Sequence, residues 1–357
     1  MKIFKVGLVG VTGYTGMELA RLLASHPRMK LEMACSRTES GLRLGEFYPF
    51  LEGLPGSDVV ISIFDAKEAA RRCDLVFLAV PHGKAMEMAG ELLEAGTRVI
   101  DLSADFRLRD VDVYEDWYVP HTRRELLPEA VYGLPELYAA EAAKARLIAN
   151  PGCYPTASTL GLQPMLKAGH IVDNTIVIDA KSGYTGAGRR PALNKLLTEA
   201  ENNFCAYALG GGHRHTPEIE QNIAYITGKD LMKPETWQYI NFQPHLLPQV
   251  RGIEVTIYAT CDRDFTNEEV YELYKDFYKD EPFVKVFPAS LPVQTKWVYG
   301  TNFCEMTPTF DARTHRLIVS SVIDNIGKGA AGQAIQNMNL IMGLPETTGL
   351  MMPPMYP

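Results

Sequence analysis

The sequence predicts an α/β protein in two parts, a parallel sheet with crossover helices followed by an α+β part built on a mixed sheet. Three observations carry this reading. The first third alternates short apolar runs with helix-like segments, as a parallel sheet with crossover connections requires. A glycine turn, Gly10-Val-Thr-Gly13-Tyr-Thr-Gly16, joins the first apolar run to the first helix. After Cys153 the apolar runs lengthen and begin to alternate with polar residues, the mark of strands buried on one face. At 357 residues the chain has room for two domains with substantial cores.

Taken in order, residues 5–9 form a strand and 17–24 (Met-Glu-Leu-Ala-Arg-Leu-Leu-Ala) an amphipathic helix. Residues 30–35 are a second strand. Asp74-Leu-Val-Phe-Leu-Ala-Val80 is a near-continuous apolar run, typical of a strand covered on both faces. Residues 84–95 read as helix and 98–102 as the next strand. The stretch 105–135, rich in Tyr, Trp, Pro and charge, reads as loops and short turns. Residues 145–149 are a short strand, and 155–162 a helix with Pro in its first turn. Beyond it, 171–180, 252–260 and 316–323 alternate as half-buried strands. Residues 267–278 are a helix with Val270, Leu273, Tyr274 and Phe277 as its apolar positions. A last helix over 327–341 is expected to pack back on the first part, followed by a Pro-rich strap over 351–357. The expected division is 1–152, completed by 325–357, and 153–324.

Bulk properties narrow the function. A hydrophobic fraction of 46% and a charged fraction of 22% are those of an ordinary globular protein. With 35 basic against 43 acidic residues the formal net charge is −8 at pH 7, which argues against nucleic acid as a partner. The cysteines, Cys35, Cys73, Cys153, Cys205, Cys261 and Cys304, are far apart and include no CxxC pair. That argues against a disulfide framework or structural zinc and for a reducing cytoplasm. No apolar run approaches the ~20 residues needed to cross a membrane, and the N-terminus lacks the pattern of a signal peptide. The expectation is a cytoplasmic protein.

The glycine turn is GxxGxxG, set between a strand and a helix with a second strand following, all within the first 35 residues. Glycines there let a pyrophosphate approach backbone N–H groups at the helix start. Gly10, Thr12, Gly13, Tyr14, Thr15 and Gly16 are therefore candidate contacts to a dinucleotide in a Rossmann-type domain. At the end of the second strand, NAD-preferring sites carry a carboxylate for the ribose 2′-hydroxyl. This chain has Cys35-Ser36-Arg37-Thr38 instead, with Glu39 next. The fork of Arg37 and the hydroxyl of Ser36 suit a 2′-phosphate. NADP(H) is the expected cofactor.

The segment Asn150-Pro-Gly-Cys153-Tyr-Pro-Thr-Ala157 puts a thiol at a helix start. Unpaired backbone N–H groups and the helix dipole favour thiolate there, and thiolate is the nucleophile. The alternative is a small buried core residue. In Gly210-Gly-Gly-His213-Arg-His215-Thr-Pro-Glu-Ile219 two histidines precede a helix over 218–226, with Thr216 as N-cap and Pro217 at its first position. Histidine is the natural general acid/base near neutral pH; a surface or capping role is the alternative. No third ligand lies at metal-binding spacing, so no metal is expected. Arg107, ending Asp101-Leu-Ser-Ala-Asp-Phe-Arg107, and Arg189, closing Ser182-Gly-Tyr-Thr-Gly-Ala-Gly-Arg189, each suit a carboxylate or phosphate, or an ordinary surface ion pair.

Together these segments resemble the N-acetyl-gamma-glutamyl-phosphate reductase family of arginine biosynthesis, over nearly the whole chain. The resemblance takes in the 10–16 turn, Ser36-Arg37, Pro81-His82-Gly83, 101–107, Tyr132-Gly-Leu-Pro-Glu136, 150–157 and 181–189. It continues through 213–218, Arg251-Gly252, Gly300-Thr-Asn-Phe303 and 324–339. Two departures stand out. Tyr184-Thr185 replaces an expected Val-Ser, which would alter the pocket lining, and Gln249-Val250 precedes Arg251 where Met-Asn is usual.

The resemblance implies a Rossmann-type domain followed by a catalytic domain, as in aldehyde dehydrogenases that act on acyl phosphates, assembled as a homodimer or homotetramer. It implies NADPH-dependent reduction of N-acetyl-L-glutamyl 5-phosphate to the 5-semialdehyde, with release of phosphate, through a thioester on Cys153. His215 or His213 would then be the acid/base. It adds Pro81, Ser182, Gly183 and Asn325 to the cofactor contacts, and names Arg107, Asn150, Tyr154, Arg189 and Glu218 for the substrate. The alternative is the same chemistry on aspartyl phosphate, or on carrier-bound aminoadipyl or glutamyl phosphate. An acidic carrier fits a chain of net charge −8 poorly.

Overall fold

The computed structural model describes residues 2–356. The chain divides into two compact units, Met1–Pro151 with Ala330–Met351, and Gly152–Gly329 with Met352–Pro357. The segment that returns to the first unit is thus shorter at both ends than the expected 325–357. Residues 325–329 stay with the second unit, and so does the strap, where the Met355 N–H donates to the Tyr299 carbonyl at 3.0 Å.

The first unit is a seven-stranded sheet of β1 (Phe4–Val9), β2 (Met29–Cys35), β3 (Ile61–Ser62), β4 (Leu75–Leu78), β5 (Arg98–Asp101), β6 (Val131–Tyr132) and β7 (Leu147–Ala149), in the order β3-β2-β1-β4-β5-β7-β6. Every pairing is parallel. Each of the four residues of β4 is buried, which is why this strand reads as an unbroken apolar run. Helices Ala66–Arg72 and Ala85–Glu94 pack on one face, around Val9, Val76, Leu78, Met86 and Leu92. Helix Tyr14–Ala24 lies on the other with the returning helix Gly332–Ile341. The chain runs outward from β1 to β3 and then crosses back to β4. Strand order therefore reverses between β1 and β4, the place where open α/β sheets bind ligands at their carboxyl ends.

The 105–135 stretch is not all loop. It holds the helix Val111–Trp117, whose N-cap Asp110 accepts from the N–H groups of Asp112 and Val113 at 2.9 and 3.1 Å, and also β6. The aromatic content that suggested a loop serves burial instead, since Tyr114 is fully buried on that helix.

The second unit carries a mixed sheet of β8 (Val177–Gly183), β9 (Cys205–Ala206), β10 (Asn241–Leu247), β11 (Ile253–Thr260), β12 (Val284–Val286), β13 (Cys304–Asp311) and β14 (Arg316–Ile323). Its order is β12-β13-β14-β11-β8-β10-β9, with β8/β10 and β12/β13 parallel and the other pairs antiparallel. The expected strand over 171–180 begins later, at Val177, because Asn174 sits in the left-handed region at φ +60° and breaks the run; Ile171 makes only an isolated bridge to Cys261. Pro244 and Pro308 lie inside β10 and β13, and they hide both strands from a pattern reading.

Helices Cys153–Lys167, Thr216–Ile226 and Asn267–Phe277 belong to this unit, the first packing on β11 and β14 and the last on β13. The Cys153–Lys167 helix begins two residues before the expected start and continues through Pro164. A proline there cannot donate to the Leu160 carbonyl four residues back. The Tyr278 hydroxyl does so at 2.6 Å, and Tyr274 serves the Gly161 carbonyl at 2.8 Å. The last helix opens as a π-helical turn, Gly327–Ala331, before Gly332–Ile341. No helix is long and apolar enough to cross a membrane among the described residues.

Candidate active site

In the first unit, β1 runs into Gly10 at φ +86°, where a Cβ would lie 2.2 Å from the Ala79 carbonyl oxygen. A Cβ on Gly16 would lie 2.3 Å from the Gly10 carbonyl oxygen. The turn itself therefore dictates both glycines. Gly13 is different. It is the N-cap of the Tyr14–Ala24 helix, in extended conformation, and a Cβ there would meet nothing nearer than the Gly10 oxygen at 3.7 Å. That helix has no side-chain cap and no acidic residue in its first turn. The N–H groups following Thr12 and Gly13, on Tyr14, Thr15 and Gly16, form the open positive end of a helix, which suits a pyrophosphate.

At the end of β2, Ser36 is buried and its hydroxyl accepts from the Thr38 N–H at 3.3 Å. Arg37 is exposed and makes no ion pair among the described residues, with Glu39 or any other carboxylate. The residues present thus fit a dinucleotide carrying a 2′-phosphate. Exposed Pro81 starts the turn after β4, which is tied down by the Asp105 carboxylate through the N–H groups of Gly83 and Ala85 at 2.7 and 3.0 Å.

Arg107 is buried, not a surface ion pair. Its guanidinium donates to the Asn150 carbonyl at 2.7 Å and the Leu102 carbonyl at 3.0 Å, which lie just past β7 and β5. Asp101, in the same cluster, is fully buried, and burial followed by the neighbouring Asp105 charge raises its pKa. The Asn150 side chain donates to the Ala330 carbonyl at 3.1 Å and accepts from Asn337 at 3.2 Å. It is therefore built into the framework of the first unit and holds the returning helix.

In the second unit, Cys153 is the first residue of its helix and half-buried, with Gly152 as N-cap. The helix itself supplies no side-chain cap and no acidic residue in its first turn, so its own residues leave the dipole at the thiol uncompensated. Glu218, fully buried in the first turn of the Thr216–Ile226 helix, accepts from the Gly152 N–H at 2.8 Å. One buried carboxylate thereby joins the start of the thiol helix to the start of the histidine helix. Pro155 has no N–H, and the Thr156 N–H donates to the Gly152 carbonyl at 3.0 Å.

The histidine helix begins at Thr216, with His215 as its N-cap, one residue before the cap expected from the sequence. The ring centroids of His213 and His215 are 4.8 Å apart, and those of Tyr154 lie 5.6 and 6.0 Å from them. Both histidine rings thus pack against Tyr154, the residue that follows Cys153. His213 Nδ1 accepts from the His215 N–H at 3.0 Å, which fixes its neutral tautomer with the proton on Nε2. Burial and the Arg214 charge bring its pKa down to about 4. Tyr207, not singled out by the sequence, donates its hydroxyl to the Tyr154 hydroxyl at 3.2 Å and sits 3.5 Å from His213 Nε2. It belongs to no motif, and only the course of the chain through β9 brings it here.

The loops after β8 and before β11 are clamped together. Asn325 accepts from the Gly252 N–H at 2.8 Å and donates to the Thr185 hydroxyl at 3.0 Å, while that hydroxyl donates to the Val250 carbonyl. The Thr185 departure therefore keeps a hydroxyl in a structural role. Ser182 is buried, with its hydroxyl on the Gly183 carbonyl at 3.0 Å, and a Cβ on Gly183 would strike the Gln249 carbonyl oxygen at 2.9 Å. Arg189 is exposed farther along the same loop. No group of three or more metal-ligating side chains occurs among the described residues.

Comparison with known proteins matches this architecture. Residues 5–145 fit the family model of the semialdehyde dehydrogenase NAD-binding domain, and 153–325 that of the semialdehyde dehydrogenase dimerisation domain. The chain is 50% identical over 356 residues to an N-acetyl-gamma-glutamyl-phosphate reductase of Desulforudis audaxviator, covering 99% of this chain and 100% of the relative. It is 48% identical to the enzyme of that name from Symbiobacterium thermophilum, covering 99% of each. Among solved structures, aspartate semialdehyde dehydrogenase II of Vibrio cholerae shares the fold, with a TM-score of 0.72 at 17% identity over 96% of this chain and 99% of that one. A Candida albicans aspartate semialdehyde dehydrogenase with NADP gives 0.70 at 14% identity, covering 96% of this chain and 99% of that one. With a glycine turn that suits a dinucleotide in one unit, a helix-start cysteine in the other whose neighbour Tyr154 packs on a histidine pair, and full-length relatives at half identity, the chain is an oxidoreductase that belongs to the N-acetyl-gamma-glutamyl-phosphate reductase family of the semialdehyde dehydrogenases.

Proposed function

We propose that this chain reduces N-acetyl-L-glutamyl 5-phosphate to N-acetyl-L-glutamate 5-semialdehyde with NADPH, releasing phosphate, as a step of arginine biosynthesis. The observation that carries the reading is Cys153 at the first position of a helix without a side-chain cap, next to Tyr154 on which His213 and His215 pack, in a chain whose full-length relatives bear that enzyme's name.

The Cys153 thiolate attacks the acyl carbon. A C–S bond forms, the C–O bond to phosphate breaks, and phosphate leaves with the electron pair. Thiolate suits both ends of the reaction, as nucleophile first and leaving group later. When bound at the Gly10–Gly16 turn, NADPH supplies the hydride that reduces the thioester carbonyl. The Tyr154 N–H is our choice of oxyanion donor, because Pro155 lacks an N–H and that of Thr156 is already engaged. His215 protonates the developing alkoxide and takes the proton back as the carbonyl re-forms and Cys153 departs.

His215 is preferred over His213 because the His213 Nδ1 is committed to the His215 N–H and its low pKa keeps it neutral at physiological pH. Tyr154 and His213 then shape the floor of the site. Glu218 acts through Gly152. Arg107 is our first choice for the substrate's anionic end, being held rigidly at two carbonyls, and Arg189 is the second.

The dimerisation-domain match supports a homo-oligomer, dimer or tetramer. Large apolar side chains left exposed between 193 and 209, among them Leu193, Leu197, Phe204 and Leu209, offer surface for a second copy to cover. Six cysteines without a disulfide, Cys205 among them exposed to solvent, suit a reducing cytoplasm.

The test is phosphate-dependent reduction of NADP⁺ by N-acetyl-L-glutamate 5-semialdehyde, run beside NAD⁺ and aspartate semialdehyde. Higher kcat/KM with aspartate semialdehyde would overturn the substrate assignment while leaving the thioester chemistry in place.

A further inference from the structure

Asp324, at the end of β14, is fully buried, and its carboxylate gathers donors from three segments. Arg251 donates Nε and a terminal nitrogen at 3.1 Å each, and the backbone of Gly300 donates at 2.7 Å. Ile326 and Gly327 donate their N–H groups at 2.9 Å each. The Asp324 carbonyl then accepts from the Gly329 N–H at 2.9 Å. This network sets the course of the π-helical turn Gly327–Ala331, a kind of turn that collects at functional positions.

The turn is packed without slack. A Cβ on Gly327 would lie 2.2 Å from the Thr301 carbonyl oxygen, and one on Gly329 would lie 2.8 Å from the Cβ of Cys153 and 3.2 Å from Ile323 Cδ1. The bare backbone of Gly329 is therefore the wall against which the side-chain carbon of Cys153 rests. On the other side, the neighbouring Asn325 holds Gly252, the residue next to Arg251.

We propose that Arg251, Asp324 and Gly329 are positioning residues for the thioester step: the ion pair fixes the turn, and the turn fixes where the Cys153 sulfur stands. The inference rests on the reading of Cys153 as the nucleophile. Its physical basis is directional. A buried ion pair adds little net stability over an apolar substitute, yet it specifies one geometry because its partners must all be met at once. A nucleophile needs that geometry, since a displacement of ~1 Å lowers a rate about 10²-fold.

The experiment compares Gly329→Ala, Arg251→Gln and Arg251→Lys with the parent enzyme. It reads kcat and KM for the semialdehyde, the pH dependence of iodoacetamide labelling at the Cys153 peptide by mass spectrometry, and thermal melting. We expect Gly329→Ala to lower kcat about 10²-fold with KM little changed, and to shift the labelling profile of Cys153. Arg251→Gln is expected to do the same more weakly, and Arg251→Lys to recover most of the loss. Should Gly329→Ala fail to fold, the Arg251 pair decides. Parental kcat in Gly329→Ala, or an Arg251→Gln effect confined to KM, would overturn the proposal. An active Cys153→Ala enzyme would overturn the nucleophile reading instead. An inactive Cys153→Ala beside fully active Gly329 and Arg251 variants would remove only the positioning role.

Discussion

The helices Tyr14–Ala24 and Cys153–Lys167 both start from an extended glycine N-cap, Gly13 at φ −78°, ψ 164° and Gly152 at φ −70°, ψ 153°. Neither has a side-chain cap or an acidic residue in its first turn. By local geometry they are interchangeable. They differ in what surrounds them. Gly13 has room where a side chain would go, with nothing closer than the Gly10 oxygen at 3.7 Å, which suits its helix start to an external anion. The other start is closed in by Glu218 on the Gly152 N–H and by Gly329 on Cys153, so its field acts on a group that the protein supplies itself. An uncapped helix N-terminus is a general preference for negative charge; its neighbours decide whether it is open to a phosphate or turned on a side chain of the protein itself.

Breaking the second start should give the largest effects. Cys153→Ala is expected to cost at least ~10³-fold in phosphate-dependent NADP⁺ reduction, since the covalent route is lost. His215→Asn should follow with a fall of about 10²–10⁴-fold, the range for a general acid/base, while His213→Asn costs less; the reverse ranking in steady-state kinetics would transfer the role to His213. Glu218→Ala leaves the Gly152 N–H without its carboxylate, a loss of about 1–3 kcal/mol by the usual cost of an unmet buried donor. It should lower both the melting temperature and kcat, with dinucleotide affinity unchanged.

The first start is probed by Gly13→Ala. The added methyl meets no protein atom closer than 3.7 Å, so stability should hold, but it intrudes on the approach of a pyrophosphate. NADP⁺ affinity measured by fluorescence titration should drop about tenfold, the equivalent of about 1.4 kcal/mol. Unchanged affinity would remove Gly13 from the cofactor site.

The smallest effect is a pH dependence. The folded-state pKa of His213, about 4, lies below its ordinary value of 6.5. Between those two values the unfolded chain binds a proton that the folded chain does not, so stability is full above the upper value and declines as pH falls towards the lower. Melting temperatures taken across that window should fall with pH, and less steeply in His213→Gln.

Much of the first unit was legible because its signals are local. The glycine spacing, the apolar runs of β1 and β4 and the missing carboxylate after β2 each involve neighbouring residues whose physics does not wait for the rest of the chain. The 105–135 stretch reads as loop because its composition outweighs the Asp110 cap. β10 and β13 were hidden by prolines that tertiary pairing tolerates.

In the second unit, the sequence by itself determined that a cysteine follows Pro-Gly at a helix start and that two histidines precede another helix. Their proximity was the decision of the tertiary structure, through a buried Glu218 whose carboxylate reaches a residue 66 positions away. So were the hydrogen bond and the burial that hold His213 neutral, and the packing of Gly329 against Cys153. Each depends on desolvation or on contact between segments distant in the chain, and neither quantity exists until the fold has closed around them.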